Sequence, residues 1–182
     1  MDRRQRKTRK LIFKAFIDLL SEKRYEQITV GEIICRADVG RATFYAHFET
    51  KDFLLKEICE ELFGHIFQAK TGNNAQSYIF NCEAPDSVFL HLFQHLQKND
   101  NNITKLLTSE NNELFLKYFK LNLTVLIKDN ISMFDTKKAE NLPEDFWIRH
   151  ISGVFVETLS WWIDNNMEEL PETITEYFFT AV

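Results

Sequence analysis

Ile28-Thr29-Val30-Gly31-Glu32-Ile33-Ile34-Cys35-Arg36-Ala37-Asp38-Val39-Gly40-Arg41-Ala42-Thr43-Phe44-Tyr45-Ala46-His47-Phe48-Glu49-Thr50-Lys51 is the stretch that decides the fold. Thr29 precedes an apolar-periodic run and Glu32 follows three residues later, the pairing of a capping box, so the spacing predicts a helix starting at Val30. Ile33, Ile34 and Ala37 make its buried face. Asp38 falls where the chain must leave the helix in a left-handed conformation, which Asp tolerates better than most residues though less well than Gly. Val39 plugs the corner. Gly40 then opens a second helix, Arg41 to His47 or Phe48, with Phe44 and Phe48 four apart and facing inward. Two short helices held at a fixed angle by a tight turn make a helix-turn-helix. Arg41, Ala42, Tyr45 and Thr43 lie on the outer, N-terminal part of the second helix, the part that enters the DNA major groove in this motif.

Beyond the motif itself, the stretch resembles the DNA-binding domain of the TetR/AcrR family of bacterial transcriptional regulators. The residues that carry the resemblance are Ile28-Thr29-Val30 with Glu32-Ile33, Ala37-Asp38-Val39, Thr43-Phe44-Tyr45 with His47-Phe48, and Lys51. It covers residues 7–67, and helix-turn-helix proteins in general lack the Thr-Phe-Tyr-x-His-Phe run followed by Lys. The resemblance implies that Arg41, Ala42 and Tyr45 face bases, and that Thr43, Tyr45, His47 and Lys51 hold phosphates. Thr29 completes the implied DNA-contact set. Four positions depart from the family pattern: Asp38 replaces the usual Gly, Gly40 a short polar residue, Gly31 a base-reading side chain and Glu49 a basic one.

Charge is distributed unevenly. Residues 1–56 hold 13 Lys/Arg against 8 Asp/Glu, and the remaining 126 hold 9 against 19, which together give the chain's net charge of −5. A positive end on an acidic body steers one face towards DNA and keeps the rest off it. Arg3, Arg4, Arg6, Lys7, Arg9 and Lys10 form the densest basic run. It reads either as a solvated tail or as a phosphate-contacting arm that continues into the first helix.

With 182 residues, 45% of them hydrophobic and 17 of them Phe, the chain can bury a large core in one or two domains. No 18-residue uncharged apolar run and no signal-peptide core occur, so neither a membrane span nor export is expected, and a cytoplasmic location follows. Cys35, Cys59 and Cys82 lack metal-ligand spacing and read as reduced, mostly buried thiols. No nucleophile elbow, Gly-rich phosphate loop or HExxH motif is present, so an enzyme reading has no positive support and no cofactor is implied.

The expected fold class is all-α, a three-helix head carrying the helix-turn-helix plus a helical bundle body. With 5 Gly and 3 Pro there is little to break helices, and no alternating strand pattern appears. Helices are predicted over Lys7–Ser21, from a Thr50 cap to Ala69, Asp86–Lys98, a short one at Ile103–Thr108, Asn111–Asn130, Glu144–Asn166 after Pro143, and Glu172–Thr180 after Pro171. Residues 70–84 read as a loop in which Tyr78-Ile79-Phe80 forms a buried turn, and residues 135–141 as a polar loop. The division places a DNA-binding domain at 1–50 and a body at 51–182, with the connecting helix over about 51–69.

The helix over 144–166 has apolar residues around roughly 200° of its wheel, more than one stripe needs. Either it is buried inside a monomer or its second face meets another copy. The family resemblance implies a two-fold dimer through the last two helices, placing Trp147, Ile151, Phe155, Trp162, Tyr177 and Phe178 at the interface. Phe89, Phe93, Phe115, Phe119 and Phe155 either line a pocket for a small apolar or aromatic ligand, as the resemblance implies, or are plain core. His91 and His95, four apart, are either core-edge residues or a metal pair with His65 or Cys82 as a third ligand; no metal site is assigned on sequence alone.

These expectations converge on a dimeric, sequence-specific DNA-binding regulator that binds a palindromic operator, a repressor released by a ligand in the body. The alternatives are an activator, or a module whose body binds a partner protein.

Overall fold

A computed structural model of the chain describes residues 3–70, 87–98, 113–138 and 141–182. Among them are eight α-helices: α1 (Arg3–Glu22), α2 (Val30–Ala37), α3 (Arg41–Tyr45), α4 (Lys51–Lys70), α5 (Val88–Lys98), α6 (Glu113–Asp129), α7 (Glu144–Asp164) and α8 (Pro171–Ala181). Short 3₁₀ helices occupy Tyr25–Gln27 and Ile131–Lys137, and the described residues hold no strand. The all-α expectation stands. The expected turn at Tyr78-Ile79-Phe80, the short helix at Ile103–Thr108 and Cys82 lie outside the described residues. None of the described helices is long and apolar enough to cross a membrane.

The head forms where the sequence says it should. α1 starts at Arg3 rather than Lys7, because Arg, Gln and Lys are strong helix formers and the basic run carries nothing that interrupts them. Its buried face is Ile12, Phe13, Ala15, Phe16, Ile17, Leu19 and Leu20, and it packs on α2, which in turn packs on α3. Thr50 starts α4: its hydroxyl accepts the Phe53 N–H at 3.0 Å.

α4 packs against α5 and α6, α6 against α7, α7 against α8, and α8 returns to α5. The centre of this body is aromatic. Phe93 and Phe155 stack at 4.5 Å between centroids, Phe89 lies 5.2 Å from Phe178, and Phe155 lies 5.3 Å from Phe178. Each such pair adds about 0.5–1.5 kcal/mol beyond the area it buries.

Two helix ends and one loop differ from expectation. α6 stops at Asp129 because the buried Asn130 side chain donates to the Leu126 carbonyl at 2.7 Å, taking the place of a backbone bond. α7 stops at Asp164, since Asn166 and Met167 both adopt left-handed φ of 55° and 54°. The Trp162 indole N–H donates to Glu169 O at 3.0 Å and closes that turn. The segment read as a polar loop near 135 begins as a 3₁₀ helix instead, pinned by the fully buried Phe134.

Of the six expected interface residues, five are buried within the chain and Tyr177 is exposed. Ile151, Phe155, Trp162 and Phe178 are completely buried within the chain and Trp147 nearly so, because the aromatic body takes that face of α7 for its own core. Phe146, Trp161 and Tyr177 are the large apolar side chains that α7 and α8 leave exposed, and Trp161 and Tyr177 meet at 6.0 Å. A Cβ on the exposed Gly153 would meet open space. The apolar arc is thus divided: most of it is core, and Trp161 with Tyr177 of α8 is left outside.

Candidate nucleic-acid interface

The site is built on α2, its C-terminal turn and α3. The capping box is complete: Thr29 Oγ1 accepts the Glu32 N–H at 3.2 Å, and the Glu32 carboxylate accepts the Thr29 N–H at 2.9 Å. The Lys23 ammonium pairs with the same carboxylate. That bond, followed by the two from Thr29, lowers the Glu32 pKa to about 2. Arg36 grips Glu22 through two parallel bonds of 2.5 and 2.8 Å, tying α2 to the end of α1.

The turn is a Schellman motif. Asp38 takes φ 52° and ψ 50°, its N–H donates to Cys35 O at 3.3 Å, and the Val39 N–H donates to Ile34 O at 3.2 Å. Ile34 and Val39 both pack on the core. The expected left-handed Asp38 and the Val39 plug are thus both present. Gly40 then caps α3 without any side-chain bond.

α3 is shorter than expected, ending at Tyr45, because its last turn tightens: Phe44 O accepts both the His47 and Phe48 N–H groups at 2.9 Å. Phe44 and Phe48 are buried as expected, with Phe48 edge-on to Phe13 of α1 at 5.4 Å. Arg41, Ala42, Thr43 and Tyr45 are all exposed, so the predicted reading edge is free of the core. Thr29 is exposed, with its hydroxyl engaged by the capping box. His47 is half-buried, and burial together with the nearby Arg9 charge lowers its pKa.

Lys51, which the resemblance implies holds a phosphate, is engaged within the chain. Its ammonium donates to Tyr25 O at 2.9 Å, Ile28 O at 3.1 Å and Glu26 O at 3.5 Å, and sits 4.2 Å from the centroid of the Tyr25 ring. All three of its donors are satisfied by the protein, and burial lowers its pKa. The Tyr25 hydroxyl in turn bonds Asp52. Sequence reasoning missed this fastening because it joins a helix start to carbonyls more than twenty residues away.

Arg9 was also misread as part of the exposed basic run. It is 8% exposed, pairs with Glu57 of α4, and its guanidinium lies 4.8 Å from the Phe48 ring centroid and 5.3 Å from that of Phe13. A signal was available: residue 9 falls on the same helical face as Ile12, Phe13 and Phe16. Arg3, Arg4, Lys7, Lys10 and Lys14 remain exposed on α1.

Elsewhere, Phe89, Phe93, Phe115, Phe119 and Phe155 are all buried and pack on one another and their neighbours, and Phe119 also lines a cleft. His91 and His95 are buried on α5 beside His65. Cys35 is exposed and Cys59 buried, so burial of the thiols holds for one of the two described; burial raises the Cys59 pKa.

Residues 12–58 match the model of the bacterial regulatory proteins of the tetR family, and residues 83–182 match that of a transcriptional regulator C-terminal region belonging to the same family. A TetR transcriptional regulator from Streptococcus agalactiae is 35% identical, with a TM-score of 0.73 over 100% of this chain and 96% of that one. The chain belongs to the TetR family. Among curated relatives of this TetR-family chain, YxbF of Bacillus subtilis, an uncharacterized HTH-type transcriptional regulator, is 38% identical over 78 residues, 40% of this chain and 20% of the relative. The dhaKLM operon transcriptional activator DhaS of Lactococcus lactis is 29% identical over 133 residues, 73% of this chain and 65% of the relative. The chain thus spans less than two thirds of the length of these two curated relatives. The relatives are regulators, not enzymes, and one of them is an activator.

Proposed function

We propose that this TetR-family chain is a homodimeric, sequence-specific DNA-binding transcriptional regulator, with residues 1–50 as its reading head and 51–182 as its dimerising body. The observation that carries the reading is the exposed edge of Arg41, Ala42, Thr43 and Tyr45, held rigidly by the capping box and Schellman turn. Arg41 reads a base, guanine by preference, at about 1–3 kcal/mol of discrimination. Thr43, Tyr45 and His47 fix register on phosphates. Location in the cytoplasm follows from the DNA reading.

The dimer is supported by the exposed Phe146, Trp161 and Tyr177 and by the open space at Gly153, which allows close helix approach. A two-fold dimer presents its heads to two half-sites of a palindromic operator. Repression by blocking polymerase is the default, and the activator DhaS gives a specific reason to measure the sign. A small apolar effector would use the cleft of about 280 Å³ beside Leu116, Phe119, Val156, Leu159 and Ile163, rather than the five phenylalanines as a set.

The test is fluorescence anisotropy of the purified protein on its own upstream DNA, at two salt concentrations and against random competitor. Competitor-resistant binding at two chains per site is expected. Weak binding that vanishes with salt would instead favour a body that binds a partner protein.

A further inference from the structure

We propose that His65 of α4 and His91 and His95 of α5 form a binding site for a divalent transition-metal ion of the zinc class, buried where the connecting helix meets the body. The three imidazoles each offer a ligand nitrogen, and these atoms all lie within 4.8 Å of one another. His91 and His95 are four residues apart and so share one face of α5. Their Nε2 atoms are 3.2 Å apart. Two nitrogens bound tetrahedrally to zinc at about 2.0–2.1 Å stand about 3.3 Å apart, so this pair already has the required separation. The His65 ring lies with its centroid 5.1 Å from that of His91 and 4.8 Å from that of His95. Closing the third ligand takes no more than about 1.5 Å, within the reach of imidazole torsions.

His65 brings a third imidazole onto the same point from another helix. The chemistry of the set selects the ion. Three neutral imidazoles suit zinc, cobalt, nickel or copper, and no carboxylate belongs to the set, so magnesium and calcium are disfavoured. Three protein ligands leave a fourth position for water or an anion. Burial lowers the pKa of His91 to about 4 and of His95 to about 3, and also lowers that of His65, with the mutual proximity of the rings and Lys98 adding to the effect on the α5 pair. The rings are therefore neutral at physiological pH and keep their ligand lone pairs without having to release protons.

The ion would bolt α4 to α5. α4 begins directly after the reading head, so fixing its position relative to the body biases where the head points. This regulatory half rests on the DNA-binding reading, whereas the metal site does not. By linkage, whatever factor zinc applies to DNA affinity, DNA applies to zinc affinity.

Full-length protein stripped with chelator is titrated with Co²⁺ and followed by visible absorption, then competed with Zn²⁺. The expected result is one ion per chain with the ligand-field bands of a tetrahedral site. His91→Ala or His95→Ala is expected to weaken binding more than about 100-fold, beyond what losing a partner of a ligand costs. His65→Gln, at a half-buried position that tolerates an amide, is expected to do the same with helical circular dichroism unchanged. His150→Ala, an exposed control, should leave binding intact. Absence of the bands, or equal binding by folded His65→Gln and wild type, overturns the site. The second arm measures affinity for the upstream DNA fragment with and without Zn²⁺. Equal affinity overturns the regulatory half. DNA binding in neither state sinks the DNA reading and not the metal site, because the cobalt titration contains no DNA.

Discussion

At the scale of single residues, the interface separates charges that look alike in sequence. Arg41 is exposed at the start of α3, whereas Arg9 is drawn between Phe13, Phe48 and Glu57. Arg41→Ala should therefore reduce discrimination between cognate and random DNA by about 1–3 kcal/mol, measured as a ratio of Kd values, with thermal stability unchanged. Arg9→Ala should do the reverse, lowering stability. Histidine burial gives a second prediction at this scale. His91 and His95 titrate at about 4 and about 3 in the folded chain against 6.5 when exposed. Above pH 6.5 both states are neutral. As pH falls, the unfolded chain binds protons first, so the stability these residues leave intact at neutral pH is lost from about pH 6.5 down to about pH 4 and below. Glu32, held at about 2, acts only below the carboxylate value of 4.5. Chelator-treated protein should lose melting temperature between pH 7 and pH 5, and a His91→Gln, His95→Gln double variant should flatten that slope.

At the scale of elements, the sequence was most legible where a bond is local and follows a capping pattern. The capping box at Thr29 and Glu32, the left-handed Asp38 and the Thr50 cap were all readable because donor and acceptor lie within a few residues. The intrachain bonds of Lys51 and Arg9 were not readable, for the opposite reason. Their partners lie more than twenty residues away in the chain, and a basic residue near a basic run gives no sign of which way it turns. The inner face of α7 was not separable from its outer one, because a wheel shows how wide an apolar arc is but not which part the body claims. Gly40→Ser should stabilise the head by a few tenths of a kcal/mol, because a Cβ there meets only Thr43 Oγ1 at 3.5 Å and the hydroxyl can cap α3. Lys51→Ala should cost about 1–3 kcal/mol by denaturant titration through lost charge-assisted bonds to Tyr25 O and Ile28 O. A fall of about one in the salt slope of DNA binding, with stability unchanged, would return Lys51 to the phosphates.

At the scale of the whole molecule, α7 and α8 divide their aromatic residues between an inner and an outer face. Trp162 and Phe178 are sealed in the body, while Trp161 and Tyr177, one residue before each, face out. Trp161→Glu should shift sizing chromatography to the monomer and reduce operator affinity, since each half-site then has to be bound alone. Trp162→Ala should unfold the body instead, at about 3–5 kcal/mol.

Three contacts cluster on the first two turns of α4: Lys51 to the carbonyls after α1, Asp52 to the Tyr25 hydroxyl, and Glu57 to Arg9. They make the head and the start of α4 one rigid lever, so the pivot has to lie further along. A helix of 20 residues is about 30 Å long, and a tilt of about 6° about its far end carries the tip through about 3 Å. In a symmetric pair the two tips move in opposite senses, so their spacing changes by up to about 6 Å against a groove repeat of about 34 Å. The stiffness of that joint, more than any side chain that touches DNA, sets how small a displacement in the body can break the match to two successive grooves.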